Sequence, residues 1–353
     1  MKRVGKNLLF AGLALVTLSV LAEGVQRARL AWTGQPRRWL LYGFHGPSDS
    51  PQDPPTVLPY GVREKEGYHL LRSGTRTVRG PAGEETIRVN RLGFRGPEVR
   101  REKAPGVYRV VALGGSSTFG AMNSEETTYP ALLQALLDRR FPGRFEVINA
   151  GVPGLAPAHL VPLLRREVLP LRPDLLVVMS VFNHYFVTTQ ASWRRPLIRL
   201  RSLLEGRSVL FLTLSEKLTY FTGGDSLFGR LFVLFADYRG YLEEMIGLAE
   251  SAGSRVFLVK EPILPRGKTG KSLVPGSTAS EQGWEPRFYR KVLRLLDDTA
   301  RSRGAVVVDA STLTGGFPLA MFYDVVHLTP EGNRYLAERV LEAMRRAGML
   351  PEG

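Results

Sequence analysis

The chain has 353 residues, 44% of them hydrophobic and 23% charged, an ordinary balance for a protein with a folded core. It has no cysteine, which excludes structural disulfides, thiolate-held zinc or iron–sulfur clusters, and thiol nucleophiles. Forty-eight basic residues against 33 acidic ones give a net charge of +15. The basic residues are scattered and form no DNA or RNA recognition module, so nucleic acid is not an expected partner. An anionic membrane surface remains open.

Lys2, Arg3 and Lys6 precede an uncharged apolar stretch from Leu8 to Ala22. Basic residues ahead of such a segment hold the N-terminus in the cytoplasm and send the downstream chain outward. The stretch is shorter than the ~20 residues of a typical spanning helix. A signal peptide, with Val20-Leu21-Ala22 as its cleavage site, and a short signal anchor both fit. Residues 24–32 continue in an amphipathic, helix-compatible way, so residues 1–32 are expected to remain as an anchor. The rest would then lie on the periplasmic, extracytoplasmic side of the inner membrane as a single-pass protein.

Residues 43–62 are crowded with Pro, Gly, Ser and Asp, a linker composition. Short β-like runs follow at Tyr68–Leu71 and Thr86–Asn90, around the turn residues Gly80-Pro81-Ala82-Gly83. Together, 33–104 read as a linker and a small β-rich module that ends at Asn90–Gly96.

From Arg109 onward, strand and helix patterns alternate. Strands are expected at 109–113, 145–149, 175–179, 256–259 and 305–309. Helices are expected at 129–141, 158–168, 238–252, 288–301 and 330–347. With right-handed crossovers this is an α/β protein, a three-layer α/β/α sandwich on a five-stranded parallel sheet, over 105–350. Residues 185–237 form a basic, apolar insertion and 262–285 a Gly-, Pro- and Ser-rich loop, both longer than ordinary connections. His159 reads as packed or solvated within its helix. Trp193 and Trp284 read as core or interfacial side chains.

The chemistry gathers at the C-terminal ends of these strands, where open α/β sheets place their sites. The first strand runs into Gly114-Gly115-Ser116-Ser117-Thr118-Phe119-Gly120. A phosphate cradle fits this turn poorly: no Lys follows Gly120, and no acid follows the second strand. Near the end of the chain, Asp324-Val325-Val326-His327 places an acid three residues before a histidine. Such an acid can orient the imidazole through one ring nitrogen while the other faces a nucleophile. After the second strand, Asn149-Ala150-Gly151-Val152-Pro153-Gly154 offers a Gly154 N–H. After the third, Val181-Phe182-Asn183-His184 offers the Asn183 amide. A serine nucleophile needs such donors for its oxyanion.

In this order, the four blocks resemble the SGNH hydrolase superfamily, the GDSL-type esterases, over roughly residues 109–347. The resemblance implies a flavodoxin-like sandwich that cleaves an ester-linked acyl group without a cofactor or metal. It implies Ser116 as nucleophile, Asp324 and His327 as acid and base, and Ser116, Gly154 and Asn183 as oxyanion donors. Gly115 stands where the family usually carries Asp. Val181 stands in place of a usual Gly, and His184 in place of an acid. The N-terminal segment and Asn90–Gly96 resemble those of membrane-anchored bacterial members. The expected partner is an ester-bearing substrate, an acylated envelope glycan or a lipid. Acyl transfer to an envelope polysaccharide and a non-catalytic, membrane-tethered binding protein are the alternatives. Oligomeric state is left open.

Overall fold

In the computed structural model, placement is described for residues 17–18, 20–22, 24–25, 62–65, 68–80, 83–185, 235–264, 286–312 and 319–351. The linker over 43–61, nearly all of the insertion 185–237, most of the loop 262–285, Trp193 and Trp284 lie outside them. Two compact units are distinguished, and everything described from 62 onward belongs to one of them. The described residues of the other unit, at 17–25, are helical, with Leu18, Val20, Leu21 and Val25 exposed. Among the described residues, no helix is long and apolar enough to cross a membrane.

The larger unit begins with two antiparallel hairpins, β1 (Val62–Lys65) with β2 (Tyr68–Leu71) and β3 (Gly74–Gly80) with β4 (Gly83–Val89). The sequence marks β2 and β4 by their apolar residues. It misses β1, and it misses β3, whose Thr75 and Thr77 are exposed; these strands exist because β2 and β4 supply their hydrogen-bonding partners.

Five parallel strands follow: β5 (Tyr108–Gly114), β6 (Phe145–Gly151), β7 (Leu175–Met179), β8 (Arg255–Lys260) and β9 (Val306–Asp309). Their order in the sheet is β6-β5-β7-β8-β9, all parallel. The helices are α1 (Ser116–Phe119), α2 (Tyr129–Arg140), α3 (Pro157–Leu163), α4 (Phe235–Ser251), α5 (Pro286–Arg303) and α6 (Pro330–Arg346). Successive strand residues point to opposite faces, and the core divides accordingly. Val110 and Ala112 pack with Leu133 and Leu137 of α2 and Leu336 and Val340 of α6. Val111 and Leu113 pack with Leu160 of α3, Leu242 of α4 and Leu296 of α5. This is the three-layer α/β/α sandwich. Winding reverses between β5 and β7, which opens a crevice at their C-terminal ends.

Most element boundaries fall within a few residues of those read from periodicity. The helix expected at 158–168 differs: α3 stops at Leu163, and a π-helical turn over Leu164–Val168 and a 3-10 turn over Leu169–Leu171 continue it. Pro162 and Pro170 supply no N–H, so the regular ladder cannot run through. The start of α2 follows its sequence signal, with Thr128 as N-cap accepting from the Ala131 N–H and Pro130 in the first turn.

Candidate active site

Strand β5 ends at Gly114, Gly115 caps the next turn, and Ser116 opens α1, a single turn closed by Gly120 in the left-handed region (φ 80°). This turn lies directly on the end of β6. A Cβ on Gly151 would run into the backbone of Thr118 and Phe119, so only glycine permits the approach. From below, the buried Arg95 guanidinium donates to the carbonyls of Phe119 (2.9 Å), Gly120 (2.7 Å) and Asn123, and it stacks on the Phe119 ring. Asn90 builds the loop that presents Arg95: its Oδ1 accepts from the Leu92 and Phe94 N–H groups, and its Nδ2 donates to the Pro97 carbonyl.

Asp324 and His327 sit in a tight loop between β9 and α6. Phe322 and Leu328 bridge its neck, and the Tyr323 N–H donates to the His327 carbonyl. Asp324 Oδ1 accepts from the N–H groups of Val326 (2.9 Å) and His327 (2.8 Å), which leaves Oδ2 for the ring. His327 Nδ1 lies 2.6 Å from Asp324 Oδ2, and His327 Nε2 lies 2.9 Å from Ser116 Oγ. A carboxylate only accepts, so Nδ1 carries a proton, and in the neutral ring Nε2 accepts from the Ser116 hydroxyl. Ser116 and His327 are buried. Burial pushes the Asp324 carboxyl up, but the His327 charge and three hydrogen bonds outweigh it and hold it below the usual range. Burial pushes His327 down, and the charges of Asp324 and then Glu261, with the Asp324 hydrogen bond, bring it above its ordinary value.

The two remaining candidates flank this line. Gly154 follows β6 in the left-handed region (φ 81°). The preceding Pro153 carbonyl lies 3.1 Å from Nε2 of the buried His69, on β2. A carbonyl only accepts, so His69 donates. In a trans peptide this turns the Gly154 N–H to the opposite edge. Asn183 follows β7 and donates from Nδ2 to the Leu155 carbonyl (2.8 Å). Its amide occupies the space that a side chain on residue 115 would need: a Cβ on Gly115 would lie 2.5 Å from Asn183 Nδ2. Thus Gly115, where the family usually has Asp, makes room for the Asn183 amide. Val181 is fully buried in the core. The His184 side chain lies outside the described residues.

Sequence reasoning missed Glu261. It follows β8 directly, is buried, and accepts from Ser117 Oγ (2.8 Å), the Val181 N–H (2.8 Å) and the Phe182 N–H (2.7 Å). Its signal was positional: an acidic residue directly after a buried strand, on the sheet edge that carries Ser116. Arg95 and His69 had no comparable mark. His159 caps α3, its Nδ1 accepting from the Ala156 N–H (3.1 Å). Among the described residues, no group of three or more metal-ligating side chains comes together.

Residues 112–335 match the model of the GDSL-like Lipase/Acylhydrolase family. No curated protein matches. Among solved structures, the chain is similar to an acetylxylan esterase from Geobacillus stearothermophilus, determined as a catalytic mutant. The two are 16% identical, with 69% of this chain and 96% of that one covered and a TM-score of 0.45. It is also similar to LAE5, an alpha/beta hydrolase enzyme from the metagenome of Lake Arreo, at 19% identity, 71% and 99% coverage and a TM-score of 0.46. A putative lipolytic protein of the G-D-S-L family from Desulfitobacterium hafniense shares 15% identity, with 67% and 98% covered and a TM-score of 0.42.

Proposed function

We propose, from the premise that this chain belongs to the GDSL-like lipase/acylhydrolase family and is an ester-cleaving hydrolase, that Ser116 is its nucleophile, His327 its general base and acid, and Asp324 the group that orients His327. The observation that carries this reading is the unbroken line from Ser116 Oγ through His327 to Asp324, at 2.9 and 2.6 Å. His327 Nε2 takes the hydroxyl proton as Ser116 Oγ bonds to the ester carbonyl carbon. The carbonyl electron pair moves onto oxygen, where the N–H groups of Ser116 and Gly154 and the Asn183 amide receive it. The intermediate collapses, the alcohol leaves with the proton from His327, and an acyl-serine remains. His327 then deprotonates water, which attacks the acyl carbon; as this second intermediate collapses His327 returns the proton to the Ser116 Oγ, releasing the carboxylic acid and free Ser116.

The full chain should react with a fluorophosphonate probe and hydrolyse p-nitrophenyl acetate. Ser116→Ala should fold, lose labelling completely and lose about 10⁴–10⁶-fold in kcat. A folded wild-type chain that neither labels nor hydrolyses would reject the assignment.

We further propose that residues 1–32 anchor the chain with its site on the extracytoplasmic side, where the substrate is an acyl ester of an envelope glycan or a lipid. Support comes from the basic flank at Lys2, Arg3 and Lys6, the uncharged stretch Leu8–Ala22, and the exposure of Leu18, Val20, Leu21 and Val25. Retention in the membrane pellet after alkaline carbonate, with protease access only from the periplasmic side, is the expected result. Acetate release from an acetylated glycan against fatty-acid release from lipid vesicles separates the substrates. Acyl transfer to a glycan hydroxyl uses the same residues and is read from the product.

A further inference from the structure

The site contains a second buried carboxylate that the serine mechanism leaves without a task. We infer that Glu261 is an ionised positioning residue, one carboxylate that ties the nucleophile turn to the block after β7 and holds a second negative charge toward His327. The inference rests on the assignment of Ser116 and His327 made above.

Three elements meet at this side chain. Oε1 accepts from Ser117, the neighbour of Ser116, at the start of α1. Oε2 accepts from both Val181 and Phe182, the two residues before Asn183. Shortening or removing Glu261 therefore disturbs the nucleophile and an oxyanion donor together. A buried acid with no function is costly to keep, and packing alone would be served by an apolar residue.

The hydrogen bonds also bear on its charge. Backbone N–H groups cannot reverse, so Oε2, which accepts two of them, carries no proton; in the ionised carboxylate the Ser117 hydroxyl donates to Oε1. Burial pushes the carboxyl above the ordinary carboxylate range; the donors at Phe182, Ser117 and Val181 and the charge on His327 oppose that rise without cancelling it. The other titratable groups facing Glu261 are tyrosines, Tyr129 on α2, Tyr238 on α4 and Tyr289 on α5, whose hydroxyls burial holds above their usual value and therefore neutral. The Tyr289 hydroxyl donates to the Glu261 backbone carbonyl. Lys260 is turned to Asp297 and Asp309. The positive charge that reaches Glu261 is the one His327 takes up. When the Ser116 proton arrives on His327, the imidazolium is stabilised by Asp324 in contact and by Glu261 at longer range.

Glu261→Gln isolates the charge. Its amide oxygen can accept from Val181 and Phe182 while its NH2 donates to Ser117 Oγ, so the clamp survives. In the full-length protein, the His327 imidazole titration, followed by NMR and assigned with His327→Gln, should move down by about 0.5–1 unit. The acidic limb of kcat/KM for p-nitrophenyl acetate should move the same way. The kcat at the optimum should fall about three- to tenfold with KM unchanged, the size of change that such a shift carries. Ser117→Ala, which removes one donor and keeps the carboxyl, should lower the His327 titration by less. An unmoved titration in both folded variants would overturn the inference, because it would mean that Glu261 is protonated in the wild type. Wild-type labelling by the fluorophosphonate without any shift rejects this inference alone. A shift without wild-type labelling supports the electrostatic pairing and rejects Ser116 as nucleophile.

Discussion

At Gly115 one missing carbon decides where Asn183 can sit. A Cβ there would lie 2.5 Å from the Asn183 amide nitrogen, so the amide would have to leave its present place. If Asn183 is the proposed oxyanion donor, Gly115→Ala should therefore displace it and cost about 10²–10³-fold in kcat on p-nitrophenyl acetate, the usual loss for one such donor. Circular dichroism should still show a folded chain. The Asp324–His327 pair makes a second prediction at this scale. The base role proposed for His327 requires the neutral ring, and Asp324 and Glu261 raise its pKa above the ordinary 6.5. Activity should thus be lost on the acid side with a midpoint above 6.5. In Asp324→Asn the raising charge is gone, so the midpoint should fall, and kcat should drop about 10⁴-fold because the imidazole tautomer is no longer set. Stopped-flow pH profiles of both proteins check the sign.

A four-residue helix does not hold its own geometry, because too few hydrogen bonds offset the ordering of its backbone. Helix α1 depends on its supports: the end of β6 beneath it and the Arg95 guanidinium on its last carbonyls. The fork of Arg95 reaches three carbonyls at once, which a single ammonium cannot do. Arg95→Lys should therefore lower unfolding stability by about 2–3 kcal/mol, the scale of losing one or two buried hydrogen bonds to a charged group. Urea denaturation measures it. A loss below about 0.5 kcal/mol, the range of ordinary surface substitutions, would show that the turn stands without Arg95.

Over the whole molecule, the two hairpins and the parallel sheet share one core. Tyr68, Leu70, Leu71, Ile87, Val89 and Phe94 are buried in the same cluster as Val111, Leu113 and the residues of α3 and α4. Burial of each such side chain contributes roughly 1.5–3 kcal/mol, so the six together rival the ~5–15 kcal/mol that holds a typical domain folded. A chain started at Pro105 should consequently fail to unfold cooperatively and should bind a hydrophobic dye. A chain started ahead of β1 should melt as the full-length protein does. A cooperative melt of the shorter chain at an unchanged temperature would refute the shared core.

What the sequence determined by itself was everything local or periodic. Apolar runs of four or five residues marked β5 to β9, and 3.6-residue spacing marked the long helices, because burial on two faces or one stripe is written into residue order. The spacing Asp324-x-x-His327 was legible for the same reason, since a single turn spans it. Glu261, Arg95 and His69 were not legible as partners. Glu261 meets Ser117 across 144 positions of chain, His69 meets Pro153 across 84, and Arg95 meets Phe119 across 24. No local pattern encodes such meetings; the winding of the sheet and the docking of the hairpins bring them about. Tertiary structure also decided that Gly115 accommodates Asn183, because a missing Cβ acquires meaning only from the atom that fills its place.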